Sequence, residues 1–197
     1  MKRLLAALCV AALPVAAASL TQAERDALLV QLDHSATVFA ASLQGLSQAQ
    51  WKYKPAPDRW SIAECAEHVV IANDMMFALV VQQLVKIPLP EKPPQRVGDE
   101  TVLKGGVDRS KKVQTAPFLE PRGKYASPAE VMAAFQTSRA KVIEYVKTTQ
   151  DDLRAHGLQT QDGFHDAYQF LLALSAHAER HSEQIAEVKA DPRYPKK

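Results

Sequence analysis

The sequence predicts an all-α domain, a four-helix bundle behind a short leader. Four helix-start signatures are each followed by an apolar stripe of helical period. No stretch shows a convincing alternation of strand type. At 197 residues and 47% hydrophobic, the chain is long and apolar enough for one domain with a real core. Four long amphipathic helices must bury their apolar faces on one another, and a bundle is the usual solution.

The first element is the leader. Lys2 and Arg3 precede an apolar run from Leu4 to Ala18, interrupted by Pro14, and Ala16-Ala17-Ala18 fits the small-x-small cleavage rule. Residues 1–18 therefore read as a signal peptide, the run being too short for a membrane span. Cys9 follows Leu8 inside that run and is a poor lipoprotein cysteine. The expectation is an exported, periplasmic or secreted protein whose domain covers residues 19–197. No later segment is expected to span a membrane. Lys and Arg number 24 against 22 Asp and Glu, and loss of Lys2 and Arg3 evens the balance. With no long run of one sign, a nucleic-acid partner is not expected. Cys65 remains as the one thiol, so no internal disulfide is possible, and an unpaired thiol in an oxidising space is expected to be buried and inert.

The helix starts follow in chain order. Ser or Thr three residues before Glu or Gln forms a capping box, in which each side chain satisfies the other's backbone N–H. Thr21 with Glu24, Ser61 with Glu64 and Ser127 with Glu130 fit, as does Asp166 with Gln169; Pro128 stands at a first helical position. The first helix is expected over 22–45, with Leu29, Leu32, Ala36, Phe39, Leu43 and Leu46 inward. The second covers 62–86, with Ile62, Cys65, Val69, Ala72, Met76 and Leu79 inward. The third covers 128–149 on a row of Val131, Phe135, Val142 and Tyr145. The fourth covers 167–190, and its row reads Phe170, Leu174, His177, His181, Gln184, Val188.

The connections are uneven. Residues 45–60 carry Trp51, Tyr53, Pro55, Pro57 and Trp60, an aromatic, proline-rich turn. Residues 87–126 hold six of the twelve prolines and are expected to be a long irregular connection. That segment reads as a solvated excursion, with the alternative of a lid bringing Lys104, Arg109, Lys111 or Lys112 over an anionic substrate.

The chemistry lies in the fourth helix. His177 and His181 stand one turn apart on one face and fall inside its apolar row. Burying two imidazoles is costly unless their nitrogens are satisfied, which a divalent metal does; zinc, nickel and iron all suit neutral imidazole. A His-x-x-x-His pair alone is also common as a surface or satisfied core pair. His68 flanks the buried row of the second helix and is the candidate third ligand, completing an open site from a different helix. His34 is expected in solvent; His156 and His165 lie in or beside the loop before the fourth helix, His165 being the better extra site residue.

Two stretches carry a family resemblance. Trp60-Ser61-Ile62-Ala63-Glu64-Cys65-Ala66-Glu67-His68 resembles a tryptophan–small–x–x–glutamate–x–x–x–histidine helix opening, and Ala176-His177-Ala178-Glu179-Arg180-His181-Ser182-Glu183-Gln184-Ile185 resembles a histidine pair followed by Gln-Ile. Their order and their hundred-odd residue separation are similar to the DinB/YfiT-like superfamily over about 22–190. The resemblance implies a four-helix bundle with a long link between helices two and three, and a divalent metal held by His68, His177 and His181.

An open three-histidine site implies hydrolysis by metal-activated water as the simplest chemistry. The alternatives are a non-catalytic metal-binding or stress-related bundle, and a thiol-dependent S-transferase or isomerase of the same superfamily. Export weighs against the last, because low-molecular-weight thiol cofactors are mainly cytoplasmic. Glu64 is a weak candidate for a general base, set against its place in a capping box. Gln184, one turn after His181, is a weak candidate for orienting a ligand or water. Glu179 and Glu183 are expected on other faces, Arg180 in ion pairs, and Trp60 at the entry to helix two or at a pocket mouth. The substrate is not legible, and a homodimer is compatible with such a bundle without being established.

Overall fold

The computed structural model describes residues 19–88, 94–110, 112 and 114–196. The expected leader, Lys111 and the last residue of the expected domain lie outside the described residues. Four long helices form the body: α1 (Gln22–Ser42), α3 (Ile62–Gln82), α5 (Pro128–Thr148) and α6 (Ala167–Lys189). Between them lie α2 (Gln48–Lys52), α4 (Asp99–Val107) and the antiparallel hairpin β1 (Gly157–Thr160) and β2 (Gly163–Asp166). Helix α6 is the hub, packing on α1, α3 and α4, while α5 closes the bundle against α3 and α1.

The helices begin where their caps stand. Reciprocal capping boxes form at Thr21, Ser61 and Asp166. At Ser127 only half of one forms: its hydroxyl accepts from Glu130 N–H, but Glu130 Oε2 accepts from Ala126 N–H instead. An unanticipated box, Ser47 with Gln50, starts α2. After α1 the chain reverses through Gly45 at φ 66°, a left-handed conformation that glycine adopts without a steric cost.

Two apolar clusters fill the interior. One gathers Leu28, Leu32, Val80, Val142, Leu171 and Leu174; the other gathers Phe39, Trp51, Ile62, Val69, Phe135 and Ile185. The Phe39 and Phe135 rings meet at 4.7 Å. On α1 the buried face is turned slightly from the expected stripe: Leu28 and Ser35 are buried, while Leu29 and Ala36 are half-buried. Cys65 is buried, and burial pushes its thiol up to about 12, which makes it inert. By length and hydropathy alone, Ile62–Lys86 is apolar enough to cross a membrane, contrary to expectation. Here α3, its helical part, is a core helix, packed on α5 and α6 and carrying buried Glu67, His68 and Asn73.

The segment expected to be irregular is partly ordered against the body. Helix α4 lies along α6, and Gly106 makes the close approach: a Cβ there would stand 2.6 Å from Ala176 Cβ. Arg154 pins the same end of the molecule. Its guanidinium donates to Glu24 on α1 (2.8 Å), Asp99 on α4 (2.7 Å) and Asp166 at the α6 cap (3.1 Å), and lies 3.7 Å above the Tyr168 ring. Gln169 Nε2 adds bonds to Val97 O (2.6 Å) and Asp99 Oδ1 (2.8 Å). The hairpin is a correction to the strand-free expectation. Four-residue strands around a Gln161–Asp162 turn are too short to show alternation.

Candidate metal centre

His68, on the second turn of α3, and His177 and His181, on successive turns of α6, converge from two helices. One ligand atom from each lies within 4.8 Å of the others, and His68 Nε2 stands 3.0 Å from His177 Nε2. Among the described residues no other three His, Cys, Asp or Glu side chains come so close. On α6 the trio sits where the two apolar clusters meet, His177 lying between Leu174 of one and Ala178 of the other.

Hydrogen bonds set the tautomers. His68 Nδ1–H donates to the Leu119 carbonyl at 2.8 Å, so in the neutral ring Nε2 carries the lone pair. His181 Nδ1–H donates to Gln184 Oε1 at 2.9 Å, which again leaves Nε2 free to ligate. That Oε1 also accepts from Arg109 Nη1 at 3.3 Å, which fixes the amide's orientation. The same arginine forks onto Glu187 at 2.6 and 2.8 Å, tying the long connection to α6. The donor set fits a cation: nitrogens about 2 Å from a tetrahedral zinc lie about 3.3 Å apart, between the 3.0 Å contact and the 4.8 Å limit observed.

Burial keeps the rings neutral. It pulls the His177 imidazole, with help from the neighbouring His68 and Arg180, down to about 3. It pulls His181 well below the ordinary histidine value, aided by His177 and His68 and opposed by the Gln184 bond. His68 is also lowered by burial, against the Leu119 bond. Trp60 lies over two of the trio, its ring 4.8 Å from His68 and stacked on His181 at 27°.

The other expected residues separate. Glu64 stands on α3 but is not among the converging groups. Its Oε1 accepts from Lys54 Nζ (2.8 Å) and its Oε2 from Ser61 N (2.7 Å). Burial raises its carboxyl, yet those bonds hold it below the ordinary glutamate value, so it is a poor base. Gln184 touches His181 directly. His34 is exposed near Glu179, Glu179 is held by Gln31 Nε2 on α1, and His156 Nδ1–H donates to Ile87 O. Lys104 pairs with Glu100 in solvent, Arg109 reaches the site, and Lys112 lines a neighbouring cavity.

Glu67 was not foreseen. It is buried beside His68, and its carboxylate accepts from the backbone N–H groups of Arg122 (2.7 Å) and Lys124 (2.9 Å). This grip holds the 119–124 strap so that the Leu119 carbonyl meets His68. A cavity of about 720 Å³ opens on the trio, with Val102 and Gly105 of α4, Leu119, Ala173 and His165 in its wall. His165 therefore shares the cavity without joining the trio.

The DinB superfamily profile matches residues 31–185. The chain belongs to the DinB superfamily. Among solved structures, this DinB chain is similar to YfiT from Bacillus subtilis, described as "a probable metal-dependent hydrolase with an unusual four-helix bundle topology". The TM-score is 0.56 at 14% identity, over 87% of this chain and 89% of that one, a likeness that shows the fold. No curated protein matches the chain.

Proposed function

We propose that this chain is a divalent-metal-dependent enzyme of hydrolytic type, exported after removal of residues 1–18. The observation that carries the reading is the convergence of His68, His177 and His181, with the Nδ1 protons of His68 and His181 committed to Leu119 and Gln184 so that their Nε2 lone pairs are free. Three protein donors at the wall of a cavity leave room for water and substrate, the catalytic pattern rather than the closed structural one. The description of YfiT as a metal-dependent hydrolase points the same way.

A divalent cation in such a site acidifies water and polarises a substrate oxygen. This chain's own residues do the positioning. The Leu119 carbonyl and Gln184 orient two of the three imidazoles. Burial keeps all three unprotonated at neutral pH, so no proton must leave before they ligate. Trp60 packs against the rings of His68 and His181. Among the described residues, no carboxylate joins the three rings.

Elemental analysis of the purified protein beside a His177→Ala/His181→Ala double variant tests the reading, followed by a panel of chromogenic esters, amides and phosphoesters. One metal per chain in the parent, none in the variant, and metal-dependent turnover of one ester class are expected. Equal metal content in both proteins would remove the basis of the reading. Bound metal without turnover would favour the non-catalytic bundle.

A further inference from the structure

Hydrolysis at the trio needs a group that takes a proton from the attacking water and later gives one to the leaving atom. The three imidazoles spend their lone pairs on the cation they would hold. Glu64 has both oxygens engaged, and among the described residues no carboxylate joins the trio. The proton carrier has to come from elsewhere in the wall of the cavity of about 720 Å³.

His165 stands in that wall. The trio reaches the cavity from α3 and α6, and His165 reaches it from β2. The hairpin that carries it is closely seated. Val97 N–H donates to the Phe164 carbonyl at 3.1 Å, and a Cβ on Gly157 would stand 2.2 Å from the His165 carbonyl oxygen. Gly163, at φ 125°, takes a conformation suited to glycine, and a Cβ there would stand 2.7 Å from Val97 Cγ1.

The ring is oriented as well. His165 Nδ1 lies 3.2 Å from the Gly163 carbonyl and 3.1 Å from Thr160 Oγ1. A carbonyl only accepts, so Nδ1 carries the proton and, in the neutral ring, Nε2 carries the lone pair. Thr160 fits this assignment: its hydroxyl donates to the same carbonyl at 3.0 Å and accepts from Asp162 N–H at 3.2 Å. Among the described residues Nε2 has no hydrogen-bond partner. Imidazole both takes and gives a proton near neutral pH, which suits it to this task. Asp108, Asp162 and Arg180 line the same cavity, and Arg96 lies beside β2. Asp108 is tied to Ser110 through both oxygens, Asp162 is exposed at the hairpin turn, and Asp166, next to His165, is engaged by Arg154.

We propose that His165 is the proton carrier of the reaction, acting through Nε2. As the oxygen of a water bonds to the acyl carbon of an ester or amide, a proton of that water passes to Nε2. As the bond from this carbon to the leaving oxygen or nitrogen breaks, Nε2–H returns a proton to the leaving atom. The ring ends neutral, and no further reactant is consumed. The inference rests on the hydrolase reading.

Nitrogen-15 NMR of the imidazoles tests it on the full, zinc-loaded chain at pH 7.5, with acetohydroxamate as the probe. This weak acid gives up a proton when its oxygens ligate a cation. The His165 signals are those missing from His165→Gln, or from His165→Asn if the first variant does not fold. Before the probe, a protonated Nδ1 and a bare Nε2 are expected; after it, Nε2 carries a proton too. The variant should keep one zinc per chain and the KM for p-nitrophenyl butyrate, and lose about 100-fold or more in kcat. The NMR result decides whether or not that ester is a substrate. The opposite tautomer, an Nε2 that stays bare once the probe is bound, or an unchanged kcat would overturn the proposal. A parent that takes up no zinc would sink the hydrolase reading and this inference with it; a zinc-loaded parent whose Nε2 ignores the bound probe would sink this inference alone.

Discussion

Glu64 stands one turn before His68 on α3, and the hydrogen bonds of Glu64 and of the histidines give them different parts. Both Glu64 oxygens are engaged, one by Lys54 and one at the helix start. Glu64→Gln should therefore retain its metal and its turnover, and should lower stability by about 1 kcal/mol through the weakened cap, measured by denaturant melts. The histidines behave differently because burial lowers the affinity of all three for protons. An unfolded histidine takes up its proton near its ordinary value of 6.5, whereas His177 in the fold does so only at about 3. Between these values the unfolded chain binds the proton and the folded chain does not, so stability is present above about pH 6.5 and falls as the pH falls. The metal-free protein should lose at most about 1.4 kcal/mol per pH unit for each ring held neutral. Thermal melts from pH 7.5 to 4.5 should show this slope, flattened in the His177→Ala/His181→Ala variant. The same slope in both proteins would mean the loss arises elsewhere.

At the scale of the element, α6 and α3 are legible in the sequence and α4 is not. The caps at Ser61 and Asp166 and the 3.6-residue stripes depend on neighbours a few positions apart, so they can be read locally. The spacing of His177 and His181 is local in the same way. That His68 meets them depends on the packing of α3 on α6, and the family resemblance supplied what periodicity left open. Helix α4 is only nine residues long and contains Gly105-Gly106, which read as a helix breaker. Its order comes from partners distant in sequence: Ala176 beneath Gly106, and Arg154 and Gln169 on Asp99. Glu67 was unreadable for a related reason, because its partners are backbone amides more than fifty residues away. Gly106→Val should consequently cost about 1–3 kcal/mol and loosen α4. Hydrogen exchange should then rise over 99–107 while α5 keeps its protection; unchanged exchange over 99–107 would mean that the close approach to Ala176 does not hold α4.

For the whole molecule, the bundle and the centre are coupled. The trio joins α3 to α6, and through Leu119 it reaches the strap that Glu67 holds. An ion bound there ligates the folded chain and not the unfolded one, so it should stabilise the whole domain. At a hundredfold excess over its dissociation constant the gain is about 2.7 kcal/mol, a rise in Tm of roughly 5–10 °C for a domain of this size. Scanning calorimetry with and without chelator should show that rise in the parent and none in His68→Ala.

The most direct measurement is anomalous diffraction from crystals of the metal-loaded protein, with data collected on both sides of the metal's absorption edge. The account predicts one strong peak about 2.0–2.3 Å from a nitrogen of each of His68, His177 and His181. A peak bound elsewhere, or a loaded protein with no peak between those three rings, would contradict it.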